Sequence, residues 1–148
     1  MEKMHFSIII NAPRQKVWET MLADETYRKW TSVFNPSGSY FEGNWKEGST
    51  MRFLGPEKDG SVSGMISRIR ENRPYDYISI QHLGLVIKGQ ETIWPTQAGE
   101  EVLENYAFRE VNGGTEVSIE LVVPAEYKDM FNETWPKALE QLKMISEN

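Results

Sequence analysis

The chain has 148 residues, 39% of them hydrophobic and 11% aromatic, and a net charge of −6, with a sequence pI of about 5.0. That length suits one packed domain spanning 1–148, burying roughly two-thirds of its unfolded surface. The acidic balance excludes a nucleic-acid partner held by many Lys/Arg–phosphate contacts, the lack of cysteine excludes disulfides and thiolate metal sites, and no apolar run approaches the ~20 residues of a membrane helix.

The N-terminal stretch from Met1 to Phe6 has neither the basic patch nor the apolar run of a secretory signal, so a cytoplasmic location is expected. Residues 4–10 alternate Met4, Phe6, Ile8 and Ile10 against His5 and Ser7, the period of a half-buried strand. Asn11-Ala12-Pro13 ends that strand and starts a helix, with Pro13 at its first position, where the missing N–H has no intrahelical partner anyway. The helix reaches about Leu22 and buries Val17, Trp18, Met21 and Leu22. Asp24 is placed to cap a second short helix carrying Tyr27 and Trp30.

From Ser37 onward the pattern predicts strands near 38–42, 50–55, 61–71, 76–83, 102–111 and 114–123, separated by Gly-, Asn- and Pro-rich turns. Asn112-Gly113 is a tight hairpin signature, which makes the last two strands antiparallel neighbours. Thr115, Val117, Ile119, Leu121 and Val123 then share one face, and Glu116, Ser118 and Glu120 the other. Between Gly84 and Glu101, either the segment folds across the pocket mouth or, the preferred reading, Leu85–Ile87 extends the fourth of these six strands and leaves a mobile remainder. Arg68, Arg70 and Arg73 fall on a solvated outer face. After Pro124 the period becomes helical, with Tyr127, Phe131, Trp135, Ala138, Leu139, Leu142 and Ile145 in one stripe. Pro136 interrupts it, so a kink or short break is expected there.

Seven strands at ~4.8 Å make a sheet about 34 Å wide, whereas a helix is only about 10–12 Å across. The sheet must curl around the helix to hide its apolar face, and such a grip leaves room beneath unless large side chains fill it, in which case the inward polar groups satisfy one another in a packed core. If Ile78, Ile80, Tyr106 and Phe108 are core, the same parity turns His82 and Glu104 inward. Met51, Phe53, Met65, Ser67 and Ile69 match them on the preceding strands. The long helix adds Tyr127, Met130, Phe131 and Trp135. An apolar wall with a few inward polar groups is the usual make-up of a small-molecule pocket. The candidate ligand-binding residues are Trp30, Phe53, Met65, Ile80, His82, Glu104, Tyr106, Phe108, Tyr127, Phe131 and Trp135; none is assigned a catalytic role.

Asn11-Ala12-Pro13 with Val17-Trp18, Tyr27-Arg28-Lys29-Trp30, Trp45-Lys46-Glu47-Gly48, His82-Leu83-Gly84, Glu104-Asn105-Tyr106, Gly114-Thr115 and Trp135-Pro136-Lys137-Ala138-Leu139 occur in that order. With them the chain resembles the START-like superfamily, also called SRPBCC, polyketide-cyclase or birch-pollen-allergen-like. Within it the likeness is to bacterial single-domain proteins related to the activator of heat-shock-protein-90 ATPase. The resemblance implies an α+β helix-grip fold: a curved antiparallel sheet of about seven strands wrapped around a long C-terminal helix, with two short helices after the first strand. It also implies a hydrophobic ligand pocket, without naming the ligand.

His82 and Glu104 are the one pair suited to chemistry, because a buried carboxylate is costly unless partnered. They can form a structural hydrogen bond, orient a ligand hydroxyl or carbonyl, or act as an acid–base couple. No cofactor is expected: His5 points outward, which leaves too few ligands for zinc, and neither standard phosphate-loop spacing is present. The expected partner is an apolar or aromatic small molecule, bound by a monomer or a weak dimer without nucleic acid or membrane insertion. A polyketide-cyclase-like enzyme and a chaperone-interacting module are the alternatives.

Overall fold

The computed structural model describes residues 1–95 and 100–148. Strand β1 (Glu2–Ile10) leads into α1 (Arg14–Leu22) and α2 (Asp24–Trp30), and α2 runs on into a short 3-10 turn, Thr31–Val33. Strands β2 (Tyr40–Glu42), β3 (Thr50–Pro56), β4 (Val62–Arg73), β5 (Tyr77–Ile87), β6 (Gln90–Ile93), β7 (Val102–Val111) and β8 (Gly114–Val123) follow. A 3-10 turn over Ala125–Tyr127 and helix α3 (Lys128–Glu147) complete the order. Every strand pairing is antiparallel, in the spatial order β1-β8-β7-β5-β4-β3-β2. This is the α+β arrangement that the sequence predicts.

The register of the last hairpin follows from its turn. Asn112 and Gly113 both have positive φ, 50° and 82°, as a two-residue type I′ turn requires. Val111 therefore faces Gly114, and Val117, Ile119 and Leu121 point into the core. On β5 and β7, Ile78, Ile80, Tyr106 and Phe108 are all buried, as strand parity predicts. Arg68, Arg70 and Arg73 lie on the exposed face.

Three local expectations need correction. The segment after Leu83 does extend β5 to Ile87, but it then turns back as an eighth strand. Lys88 and Gly89 form the turn with φ of 49° and 80°, and β6 pairs with β5 from Gly84 to Ile87. There β6 continues the place in the sheet that β7 occupies beside Tyr77–His82. The mobile remainder expected after it is therefore strand as far as Ile93, and residues 96–99 lie outside the described ones.

Second, α3 is continuous through Pro136, with no break. Pro136 and Asn132, whose carbonyl loses its N–H partner, both lie on the solvent side, where water can take the bond. Third, Asp24 does not cap α2. Ala23 is the N-cap, and the Asp24 carboxylate instead accepts from Arg28 Nε at 3.2 Å within the helix.

The core has two unequal ends. Ala138, Leu139 and Leu142 seat the C-terminal half of α3, and α1 fills the adjacent space by setting Trp18 edge-on to Phe108 at 5.1 Å. The N-terminal half of α3 is held off the sheet by large rings, and the hollow lies there.

Candidate functional site

A cavity of about 300 Å³ sits between the concave sheet, α2 and the first turns of α3. Its inner wall comes from the sheet: Phe53 of β3, Met65 of β4, Ile80 and His82 of β5, Glu104 and Tyr106 of β7. Trp30 and Tyr27 of α2 and Phe131 and Trp135 of α3 close the other side. Nine of the eleven sequence-predicted residues thus meet around one space.

Two do not. Phe108 is inward and buried, but it packs at the filled end against Trp18. Tyr127 belongs to the 3-10 turn before α3 rather than to the helix, so the helical stripe does not carry it inward. It is 40% exposed and stacks on the outer side of Phe131 at 5.9 Å.

Sequence reasoning missed Met21, Phe34 and Trp45, which also line the space, and did not single out Tyr27. Two indoles are positioned by the end of α1. The last carbonyls of a helix lack intrahelical partners; Met21 O accepts from Trp30 Nε1 at 3.0 Å and Leu22 O from Trp45 Nε1 at 2.9 Å. Each bond satisfies an orphan carbonyl and holds a large ring against the cavity. Tyr27 then packs edge-on to Trp30 at 5.7 Å and tilts against Phe53 at 6.2 Å. Trp135 stands at the centre of a second ring cluster, 5.0 Å from Phe34 and 6.1 Å from both Trp30 and Tyr106.

One pole of the cavity is polar. Register shifts between β4 and β5 bring Ser67 opposite His82, skipping Leu83; a bulge of this kind re-aims side chains. Glu104 lies opposite Ile80, diagonal to His82 and two residues before Tyr106 on the same face. A chain of bonds results. The Ser67 hydroxyl meets His82 Nδ1 at 2.6 Å, His82 Nε2 meets Glu104 Oε1 at 3.0 Å, and the Tyr106 hydroxyl donates to Glu104 Oε2.

These partners assign the ring tautomer. With Nε2–H donating to the carboxylate, Nδ1 accepts from Ser67, and each hydrogen-bonding group of the chain has a partner. Ser67 and His82 are buried, whereas the Glu104 side chain keeps 24% of its surface open. The Tyr27 phenol responds to this pole: burial first, and then the Glu104 charge, push its ionisation well above the ordinary range, so it stays a neutral donor.

A sheet gripping a C-terminal helix over an interior hollow defines the START-like class. The sequence profile of the family described as Activator of Hsp90 ATPase homolog 1-like protein matches residues 11–147, and the chain belongs to that family. No curated protein matches the sequence. Among solved structures, the Aha1 dimer from Colwellia psychrerythraea is similar at 18% identity and a TM-score of 0.70, covering 99% of this chain and 97% of that one. A Cytophaga hutchinsonii protein has 21% identity and a TM-score of 0.73, with 100% and 95% of the chains covered. A Nitrosomonas europaea protein has 11% identity and a TM-score of 0.74, with 97% and 93% covered. Likeness at these identities establishes the fold. No helix among the described residues is long and apolar enough to cross a membrane.

Proposed function

We propose that this protein binds and carries an apolar or aromatic small molecule in the cavity between the sheet and α3. The observation that carries the proposal is a space of about 300 Å³ walled largely by aromatic and aliphatic side chains, in which His82, Glu104 and Tyr106 are hydrogen-bonded to one another on the sheet side. That volume is at the lower end of the ~300–1,000 Å³ of ligand pockets. Apolar walls supply affinity by removing surface from water, while the polar pole fixes which end of the ligand enters first. Ser67, His82 and Tyr106 support and orient the carboxylate, and nine residues form the ligand-binding set: Trp30, Phe53, Met65, Ile80, His82, Glu104, Tyr106, Phe131 and Trp135.

An enzyme using His82 and Glu104 as an acid–base couple is a weaker reading. Both imidazole nitrogens and both carboxylate oxygens are already held by neighbours, which suits a fixed recognition element better than a proton shuttle. A chaperone-contacting role, which the family's name suggests, would make no use of the interior.

A thermal-shift screen with flavonoids, naphthols and long-chain alcohols tests the proposal. Ligand at a hundred times its dissociation constant adds about 2.7 kcal/mol, which raises the melting temperature by on the order of 5–10 °C. No shift with any of these compounds, together with no small molecule retained in native mass spectrometry, would refute it.

A further inference from the structure

We infer that the cavity selects ligands with a hydrogen-bond-donating, preferably cationic, head on an apolar body, and rejects carboxylates of the same size. The inference rests on the carrier proposal above and concerns which ligand class that site takes.

Among the described lining residues Glu104 is the one acidic side chain, and none is a lysine or arginine. His82 Nε2 lies 3.0 Å from that carboxylate, whose partly open side chain faces the space. A carboxylate has about four lone-pair positions. Tyr106 and His82 occupy one on each oxygen. The partly open side chain of Glu104 can therefore accept two further bonds, and those positions are what an entering ligand meets. A ligand carboxylate would set a second negative charge beside the first in a low-dielectric space, where like charges repel strongly. An ammonium would instead pair with it.

The surrounding rings act in the same direction. Tyr27, Trp45 and Phe53 pack mutually, with centroids 5.7–6.4 Å apart, and Phe53 lies 6.1 Å from the His82 ring. Electron-rich faces grouped near a carboxylate attract cations, and the attraction grows as water is excluded. Phe53 packs against both the His82 ring and Tyr27, which sets this ring group beside the polar pole. The chain's net charge of −6 adds a weak long-range preference of the same sign.

The test uses three probes with one body: 4-phenylbutylamine, 4-phenylbutanol and 4-phenylbutyrate, titrated calorimetrically at pH 7 against the intact protein. The amine is expected to bind at least about tenfold more tightly than the carboxylate, with the alcohol between them. In Glu104→Gln the amine falls to the affinity of the alcohol. Carboxylate binding equal to or tighter than amine binding overturns the inference, as does an amine preference that survives Glu104→Gln unchanged. The wild-type ratio alone decides the matter should that variant fail to fold. If none of the three binds while a flavonoid or naphthol does, the head-group rule fails and the carrier proposal stands; if nothing in either panel binds, both fail.

Discussion

The hydrogen-bonded chain from Ser67 to Tyr106 makes a prediction that depends on its connectivity. Ser67 has no exposed surface and His82 only 8%, so neither can exchange a lost partner for bulk water. Ser67→Ala leaves His82 Nδ1 without its donor, at a cost of about 1–3 kcal/mol for a buried unsatisfied acceptor. His82→Leu leaves the Ser67 hydroxyl alone and strips one donor from Glu104, and should cost somewhat more. In the double variant Nδ1 and Oγ are both absent, so adding Ser67→Ala to His82→Leu should change stability by less than about 0.5 kcal/mol. The coupling energy is then about 1–3 kcal/mol, nearly the whole cost of Ser67→Ala alone and above the ~0.3–0.5 kcal/mol scatter of independent sites. Urea denaturation with a shared slope measures all four corners of the cycle. Additive costs would mean that the 2.6 Å contact contributes nothing, and the assigned tautomer would lose its support.

Two further substitutions test the walls. Trp135→Ala removes the ring at the centre of the cluster with Phe34, Trp30 and Tyr106, and should cost about 3–5 kcal/mol, a melting-temperature fall of on the order of 10 °C; a fall of under 2 °C would contradict its role as the prop between α3 and the sheet. Gly64→Ala would drive its new methyl into the Phe53 carbonyl of the paired strand. The β3–β4 pair should then part, with a loss of at least about 2 kcal/mol and weaker binding of the naphthol probes; unchanged stability would show that the strands separate freely.

How much of this was legible in the sequence depended on which physical rule governed each residue. Strand parity is a two-state variable, so once Ile78, Ile80 and Tyr106 were core, His82 and Glu104 had to face inward as well. Parity gives the face but not the position along the groove. Phe108 obeys the same alternation, yet lies at the end that Trp18 fills. Strand β6 was missed because Lys88-Gly89 lacks the Asn or Asp that usually marks a type I′ turn; Lys88 takes the left-handed conformation all the same. Tyr127 fits the helical spacing of α3, but three residues of 3-10 turn put it out of phase. Trp45 lies outside regular secondary structure, where no periodicity predicts direction. Its indole N–H seeking an acceptor was the only clue, and the end of α1 supplies one.

The same accounting explains why the hollow is not closed by repacking. At the other end of α3, Ala138 lets the helix approach the sheet and α1 fills what remains, all with apolar atoms that ask for nothing but contact. At the cavity end, a closer approach of the helix would press Phe131 and Trp135 onto Glu104. Two donors already hold that carboxylate, but they leave lone pairs that rings cannot satisfy, and desolvating a charge without partners costs far more than filling a void returns. The polar pole therefore keeps the space open. On the carrier proposal, a molecule with a donor at one end and an apolar body behind it would satisfy both demands, which neither water nor a further aromatic side chain does.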